Sequence, residues 1–512
     1  MTAPAATVPP AGRLRRFLLH PLPSWMLVLS VIVLIWGEPV PAGNENDYLA
    51  VLRAFWDRGF LPVDWSFATT LPDRWTFNFL FGSLAVVVPL HALAWAGRVT
   101  CWVLSVHALF RIGGRLGIAR PLTALALVGW LLGGQAVVGS DFMIGSFEAK
   151  AVAYVCLLFA LDAVLDGRLV PAAALTGVAV TMHPAVGLFA GTALALAVVA
   201  TRGFGRELLR PLLVGLACAL PGLVQTALFE LRSVPATSAD WEYLAKGLLE
   251  ALLDLPTFGR LTLLCQAVVL GASLAWSVRR RGGFALLGWM QVVLAVPFAV
   301  GVAAHLTGDF RLLSITPFRL LPVFSLLAFF LALASAFTSW ATLPAVPRGV
   351  AVLLALGTLA ALAIPTARYA TRFADSWTRA PDDFDAAFAW VAANEPADAV
   401  GILPPWRQDA TLASERSQVV HWSMPRYDLL PEWRRRADAL VGPFPPGGTG
   451  AAPALAAQAM RDHYDGLPEA ELRRLAAEYG ATFLVSRGRY DFPLRFQQGA
   501  VRVYDLPAGG ER

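Results

Sequence analysis

Lysine is nearly missing from this chain: among its 41 basic residues only Lys150 and Lys246 are lysines. Charge of either sign is scarce too, at 15% of 512 residues, against about 25% in soluble globular proteins. With 57% hydrophobic residues and a mean hydropathy of +0.58, that scarcity excludes an ordinary soluble protein. The four cysteines, Cys101, Cys156, Cys218 and Cys265, lie in apolar runs without metal-ligand spacing. Residues 370–512 contain none, so that segment is not stapled by disulfides. No GxGxxG or GxxxxGK(S/T) element occurs, and there is no repeat of fixed period. No basic run is interleaved with exposed aromatics, so the net charge of +5 points to membrane topology, with no nucleic-acid partner.

What is present is a series of apolar segments of about 20 residues through positions 1–369, the length that spans a bilayer as helix. The expected fold is a polytopic α-helical membrane protein with about eleven transmembrane helices. A cytoplasmic segment, residues 1–22, precedes a transmembrane module, 23–369, and a soluble extracytoplasmic α/β domain, 370–512, follows. Arg13, Arg15 and Arg16 precede the first run, which reads as a retained signal anchor with a cytoplasmic N-terminus. The ends assigned to the cytoplasm hold fourteen arginines, whereas the short external loops hold only Lys150, Arg311 and Arg319. A long first external loop, 38–78, contains Glu45, Asp47, Asp57, Asp64 and Asp73. Leu49, Leu52, Phe55 and Trp56 at helical spacing predict an interfacial helix over 47–60. Residues 77–96, with Pro89 and His91, read as a partly inserted or re-entrant pair, and the next span begins near 99, after Arg98. The last span emerges near Pro365. Beyond it, helices over 383–393, 432–440, 454–464 and 468–479 alternate with strands at 399–403, 418–422, 482–486 and 500–504. Residues 443–453 are Pro/Gly-rich and read as a mobile loop.

This topology gathers polar residues on one side. Glu45 and Asp47 follow the first span, and Asp141, Glu148 and Lys150 lie between the third and fourth. His183 ends the fifth, and His305, Asp309, Arg311 and Arg319 lie between the ninth and tenth. Acids there can act as a general base or hold a divalent cation, and bases can bind a phosphate diester or pyrophosphate. Transfer of a sugar from a lipid phosphate needs that pairing. Each group also has a plainer reading: solvated loop acids (Asp57, Asp64 and Asp73 above all), a helix-end histidine, and arginines anchoring loops to headgroups. Glu148 and Lys150, two apart, do not share a helix face.

A first membrane helix, a long external loop opening on Glu45-Asn46-Asp47, and then an interfacial helix resemble the GT-C class of integral membrane glycosyltransferases. Other features agree: His183-Pro184 after a short helix, Phe147-Glu148-Ala149-Lys150 opening another, and the stretch from Phe384 to Val400 leading into a C-terminal α/β domain. The resemblance implies an inverting transferase of the bacterial cell envelope, taking sugar from a polyprenyl-phosphate donor in the cytoplasmic membrane. It makes Asp47 the base or a metal ligand, with Glu45 assisting. A divalent cation, Mg or Mn, is left open as cofactor. Lys150, His183, Arg311 and Arg319 are assigned to the donor phosphate by charge and side. Glu148, Asp141, His305 and Asp309 are further candidates. Partners are the lipid-linked donor, membrane lipid, and a glycan, lipid or protein acceptor. The chain lacks a WWDxG-like element, which speaks against an oligosaccharyltransferase role. The rival expectation is a transporter or flippase of an amphipathic substrate, which calls for mid-helix charges and a repeated half. A scaffold whose C-terminal domain binds envelope partners is the third.

Overall fold

A computed structural model describes residues 20–67, 74–138, 141–247, 259–442 and 453–507. Arg13, Arg15, Arg16 and Asp73, and all but the last residue of the expected mobile loop, lie outside the described residues.

Seven described helices are long and apolar enough to cross a membrane: Leu90–Arg115, Pro184–Arg202, Leu209–Arg232, Gly259–Val278, Gly283–Thr307, Leu320–Thr338 and Ala345–Thr378. Shorter apolar helices, Pro21–Trp36, Trp75–Val87, Arg120–Leu132 and Leu169–Met182, join them, as does Ala149–Leu165. The chain is a polytopic helical membrane protein. Leu320–Thr338 runs through its centre, 89% buried over its most apolar window, and Val323, Leu327 and Leu331 pack into the main core. Ala345–Thr378, only 6% buried over the same length, lies at the periphery with Leu353, Leu356, Leu359 and Ile364 turned outward. Such a helix suits lipid contact, because in hydrocarbon an apolar face needs no protein cover.

Two boundaries differ from expectation. Residues 77–96 are not a re-entrant pair: Trp75–Val87 is one helix, and the next runs unbroken from Leu90 to Arg115. Arg98 looked like the end of a span, but it lies within this helix because a buried carboxylate neutralises it. The helix that carries the last span runs past Pro365. It continues to Thr378, where Trp377 Nε1 donates to Gly37 O at 2.8 Å and Arg372 pairs with Glu38 at 2.7 Å. These contacts hold the emerging turns against the start of the first loop.

The C-terminal part forms a five-stranded mixed sheet in the order β2-β1-β3-β5-β4. The strands are β1 (Val400–Ile402), β2 (Ser417–Gln418), β3 (Ala481–Ser486), β4 (Leu494–Gln498) and β5 (Val501–Asp505). β1 is parallel to β2 and β3, while β5 is antiparallel to β3 and β4. β4 escaped the sequence reading because its residues are mostly exposed, so the apolar alternation is weak. Helices Asp383–Asn394, Leu430–Val441, Pro453–Asp465 and Glu469–Tyr479 accompany the sheet. A capping box at Asp382 and Asp385 starts the first of them.

This domain rests on the loops of the helical body. Tyr243 and Leu244, on the helix Ser238–Gly247, share a core with Trp422 and Trp433. Val234 N donates to Asp428 O at 2.8 Å, and Arg434 pairs with Asp240 at 3.1 Å. Arg53, on the helix Glu45–Trp56, pairs with Glu415 at 2.8 Å. The first loop, residues 233–247 and the C-terminal domain therefore share one face of the protein.

Candidate functional site

The Glu45–Trp56 helix begins the site. Gly43, at φ +54, makes the turn that an L side chain resists, and Glu45 and Asp47 fill the helix's first turn, where acids favour the N-terminal dipole. Residues two apart on a helix point in different directions. That spacing sends the two acids to different partners.

Glu45 is fully buried. Arg98 grips it from Nε to Oε1 and from Nη2 to Oε2, each at 2.5 Å, as a bidentate fork. Phe147 N donates to Oε1 at 2.6 Å and Ala42 N to Oε2 at 3.2 Å. Arg98 Nη1 spans to the carbonyls of Trp36 and Glu38 at 2.8 and 3.0 Å. Glu45 thus ties the first span, the first loop, the helix Leu90–Arg115 and residue 147 into one knot. Its oxygens carry a full set of donors, and one is a guanidinium. A shared metal on Glu45 and Asp47 does not fit this donor set. Among the described residues no three His, Cys, Asp or Glu side chains could jointly hold a metal.

Asp47 turns toward the C-terminal domain instead. Burial pushes its carboxyl up to about 6, against the opposing pull of a Ser423 hydrogen bond and of His421. His421 is itself fixed: Nε2 lies 3.0 Å from Asp64 Oδ2, while Nδ1 lies 2.7 Å from Gln418 Nε2 and 3.3 Å from Thr411 Oγ1. Gln418 at Nδ1 and Asp64 at Nε2 hold the ring from both sides. Asp64 is no solvated loop acid: it is wholly buried and also accepts Ser66 N at 2.8 Å and Gln418 N at 3.1 Å. Arg426 extends this join, donating to Trp65 O at 2.7 Å and Ser66 O at 3.1 Å while forking onto Asp428. Asp57 meets the expectation better, half-buried and paired with the half-buried Arg53 at 3.3 Å.

The fold brings together most of the expected cations, Lys150 and Arg319, around Asp141. Lys150 Nζ lies 2.8 Å from Asp141 Oδ1 and 3.4 Å from Glu148 Oε1, with the Phe142 ring 3.7 Å beneath it. Arg319 Nε lies 3.1 Å from Asp141 Oδ2. Burial alone would raise the Asp141 carboxyl, but Lys150 and Arg319 overcome it and hold the group below its usual range. Glu148 and Lys150 meet although two apart, because Glu148 is the extended N-cap outside the helix Ala149–Leu165 and can fold back. His183 caps the helix Pro184–Arg202, its Nδ1 accepting Val186 N at 3.3 Å, and burial together with the charges of Arg74, Arg319 and Lys150 disfavours its protonation. Arg74 stacks over the Tyr48 ring at 4.7 Å, which links the cations to the residue following Asp47. Tyr48 and Tyr427 also flank Arg319. Three fixed cations against two carboxylates, beside a neutral histidine, leave the cluster net positive.

Part of the expected set stays outside. Asp309 is exposed and caps the short helix Phe310–Ser314 through Leu312 N at 3.0 Å. Arg311 is exposed on that helix, and His305 sits in the last turn of Gly283–Thr307. Of that loop only Arg319 turns into the cluster. Arg98, Arg74, His421 and Ser423 escaped the sequence reading. Arg98 carried a usable signal, an ionisable residue inside an apolar run. The other three carried none, since their partners lie far away in the chain.

Fold and site together define a membrane protein with a buried polar centre roofed by a small α/β domain. Residues 382–440, which supply His421, Ser423 and Arg426 to that roof, match the family model described as "Domain of unknown function (DUF6798)". No curated protein matches the sequence. Among solved structures the chain is similar to an oligosaccharyltransferase of Archaeoglobus fulgidus in complex with Zn and sulfate. Identity there is 12%, over 91% of this chain and 67% of that one, at a TM-score of 0.49. Another is the archaeal oligosaccharyltransferase AglB from the same organism with an inhibitory peptide and a dolichol-phosphate (11%, 91% and 69%, 0.48). A third is a mutant of the arabinofuranosyltransferase AftD from Mycobacteria (16%, 97% and 42%, 0.49), of whose length this chain spans under half.

Proposed function

We propose that this protein is a GT-C-type glycosyltransferase that moves a sugar from a polyprenyl-phosphate donor to an acceptor hydroxyl. One observation carries the reading: a carboxylate tuned to about 6, Asp47, is followed in its helix by Tyr48, which lies under Arg74 and flanks Arg319 in a net-cationic cluster of Arg74, Lys150 and Arg319 with His183. A base with a pKa near the working pH is an effective proton acceptor, and cations stabilise a departing phosphate.

In this reading Asp47 takes the acceptor proton as the oxygen attacks the anomeric carbon. The bond from that carbon to the phosphate oxygen breaks on the opposite face, which inverts the centre. The charge left on the lipid phosphate is met by Lys150, Arg319 and Arg74. Glu45 does not touch substrate; it holds the helix carrying Asp47 through Arg98. No step is routed through a metal. The face bearing the C-terminal domain is then extracytoplasmic, and the N-terminus lies in the cytoplasm of a bacterial inner membrane.

Asp47→Asn tests the assignment in proteoliposomes supplied with a polyprenyl-phosphate sugar. Transfer is expected to fall at least about a hundredfold, with expression, insertion and melting temperature retained. A near-normal rate removes Asp47 as the base.

A further inference from the structure

A second polar site lies at the other end of the same helices. From Arg98 to Arg111, and from Lys150 to Asp162, the chain climbs about 20 Å along helix, so this site stands well away from Asp47. Asp162 is only 3% exposed. Its Oδ2 accepts Arg111 Nε at 2.9 Å. Its Oδ1 lies 3.6 Å from Arg115 Nε and has no hydrogen bond among the described residues. Arg115 and Arg168 are drawn off to Asp166 at 2.7 and 2.8 Å. A cavity of about 340 Å³ opens here, with Arg111, Asp162 and Arg168 on its polar side and Phe159, Pro171 and Leu175 on its apolar side. Three guanidiniums and two carboxylates leave one net positive charge.

We infer that this cavity binds the phosphodiester headgroup of a membrane phospholipid. Each feature asks for one part of that molecule. The cluster's net positive charge takes the phosphate through Arg111 and Arg168, which line the cavity, as basic pockets between membrane helices do. The buried Asp162 Oδ1, which costs free energy while it lacks a donor, takes a hydroxyl or ammonium at the end of the headgroup. Phe159, Pro171 and Leu175 line the path of an acyl chain. A free phosphate ion meets only the first requirement. A phosphocholine lipid meets the first and third but brings no donor for Asp162. The site is independent of the transfer reaction, and its test does not rest on that assignment.

Native mass spectrometry of the delipidated full chain checks this, with phosphatidylglycerol, phosphatidylethanolamine, phosphatidylcholine and inorganic phosphate as separate probes. One adduct of phosphatidylglycerol or phosphatidylethanolamine is expected, with phosphatidylcholine retained several times less. Arg168→Gln, at an exposed position that leaves the melting temperature unchanged, is expected to lose roughly fivefold in occupancy, and Arg111→Gln a similar factor. Equal retention by folded wild type and both variants overturns the proposal. So does equal retention of phosphatidylcholine, a complete lack of lipid adduct, or inorganic phosphate binding as tightly as lipid.

Discussion

Glu45 and Asp47 belong to one helical turn and end in opposite chemical states. Glu45 is saturated by a bidentate arginine and two backbone donors, which fixes it as a structural group. Asp47 meets one hydroxyl and a histidine, and burial leaves its carboxyl near 6. The sign of the pH dependence follows. A base must be deprotonated to act, so transfer should be weak below pH 6, rise through about 6 and level off above it. A rate–pH profile whose acid limb sits near 4 would mean that Asp47 is solvated in the working state. Glu45→Gln tests the other role. It leaves Arg98 buried without its counter-charge, an uncompensated charge that costs about 3–5 kcal/mol. The expected outcome is a clear drop in melting temperature that follows the loss of activity. Unchanged melting with lost transfer would instead put Glu45 among the reacting groups.

At the scale of elements, close helix packing positions the site. Leu169–Met182 and Leu209–Arg232 approach through small residues: a Cβ on Gly177 would lie 2.3 Å from Gly215 O, and one on Gly222 would lie 2.6 Å from Thr181 Cα. Backbone atoms cannot swing aside as side chains can, and membrane helices rely on such contacts because lipid supplies no hydrophobic drive between them. Thr181 Oγ1 adds a hydrogen bond to Cys218 O at 2.7 Å across the same interface. His183, one residue beyond that first helix, inherits its position from this packing. Gly222→Val should therefore destabilise the protein by about 1–3 kcal/mol and reduce transfer as well. Thermal unfolding in detergent, compared with an exposed control such as Gly349→Val, checks it.

For the whole molecule the question is how a C-terminal α/β domain becomes part of a site on the helical body. The join is polar and buried: Asp64 to His421, Arg426 to Trp65 and Ser66, and Ser423 to Asp47. Trp422 and Trp433 against Tyr243 make its apolar part. Buried hydrogen bonds that lose one partner cost about 1–3 kcal/mol each. Asp64→Ala should loosen the domain from the first loop, which hydrogen exchange would register as faster exchange across 410–430 with the helical core unchanged. An exchange pattern like that of the wild type would mean that the apolar contacts hold the domain by themselves.

How much of this was legible follows from how local each signal is. Apolar run length and arginine position are local, so the helices, the C-terminal α/β region and the clustering of Asp141, Glu148, Lys150, His183 and Arg319 could be read directly from the sequence. Exposure of Arg311 and Asp309 could not, since one loop offers several charges and packing selects Arg319 alone. The partners of Arg98 and Asp64 lie 53 and 357 residues away. A lone charge in an apolar run reads as a boundary, and a lone loop acid reads as solvated, until the chain folds and supplies the opposite charge or donor. The sequence alone determined which segments are apolar enough to form membrane helices and which polar groups lie in the loops between them. Only the tertiary structure decided which of the two acids is neutralised and which stays poised, because burial and pairing, the two causes of that difference, are properties of contacts between distant segments.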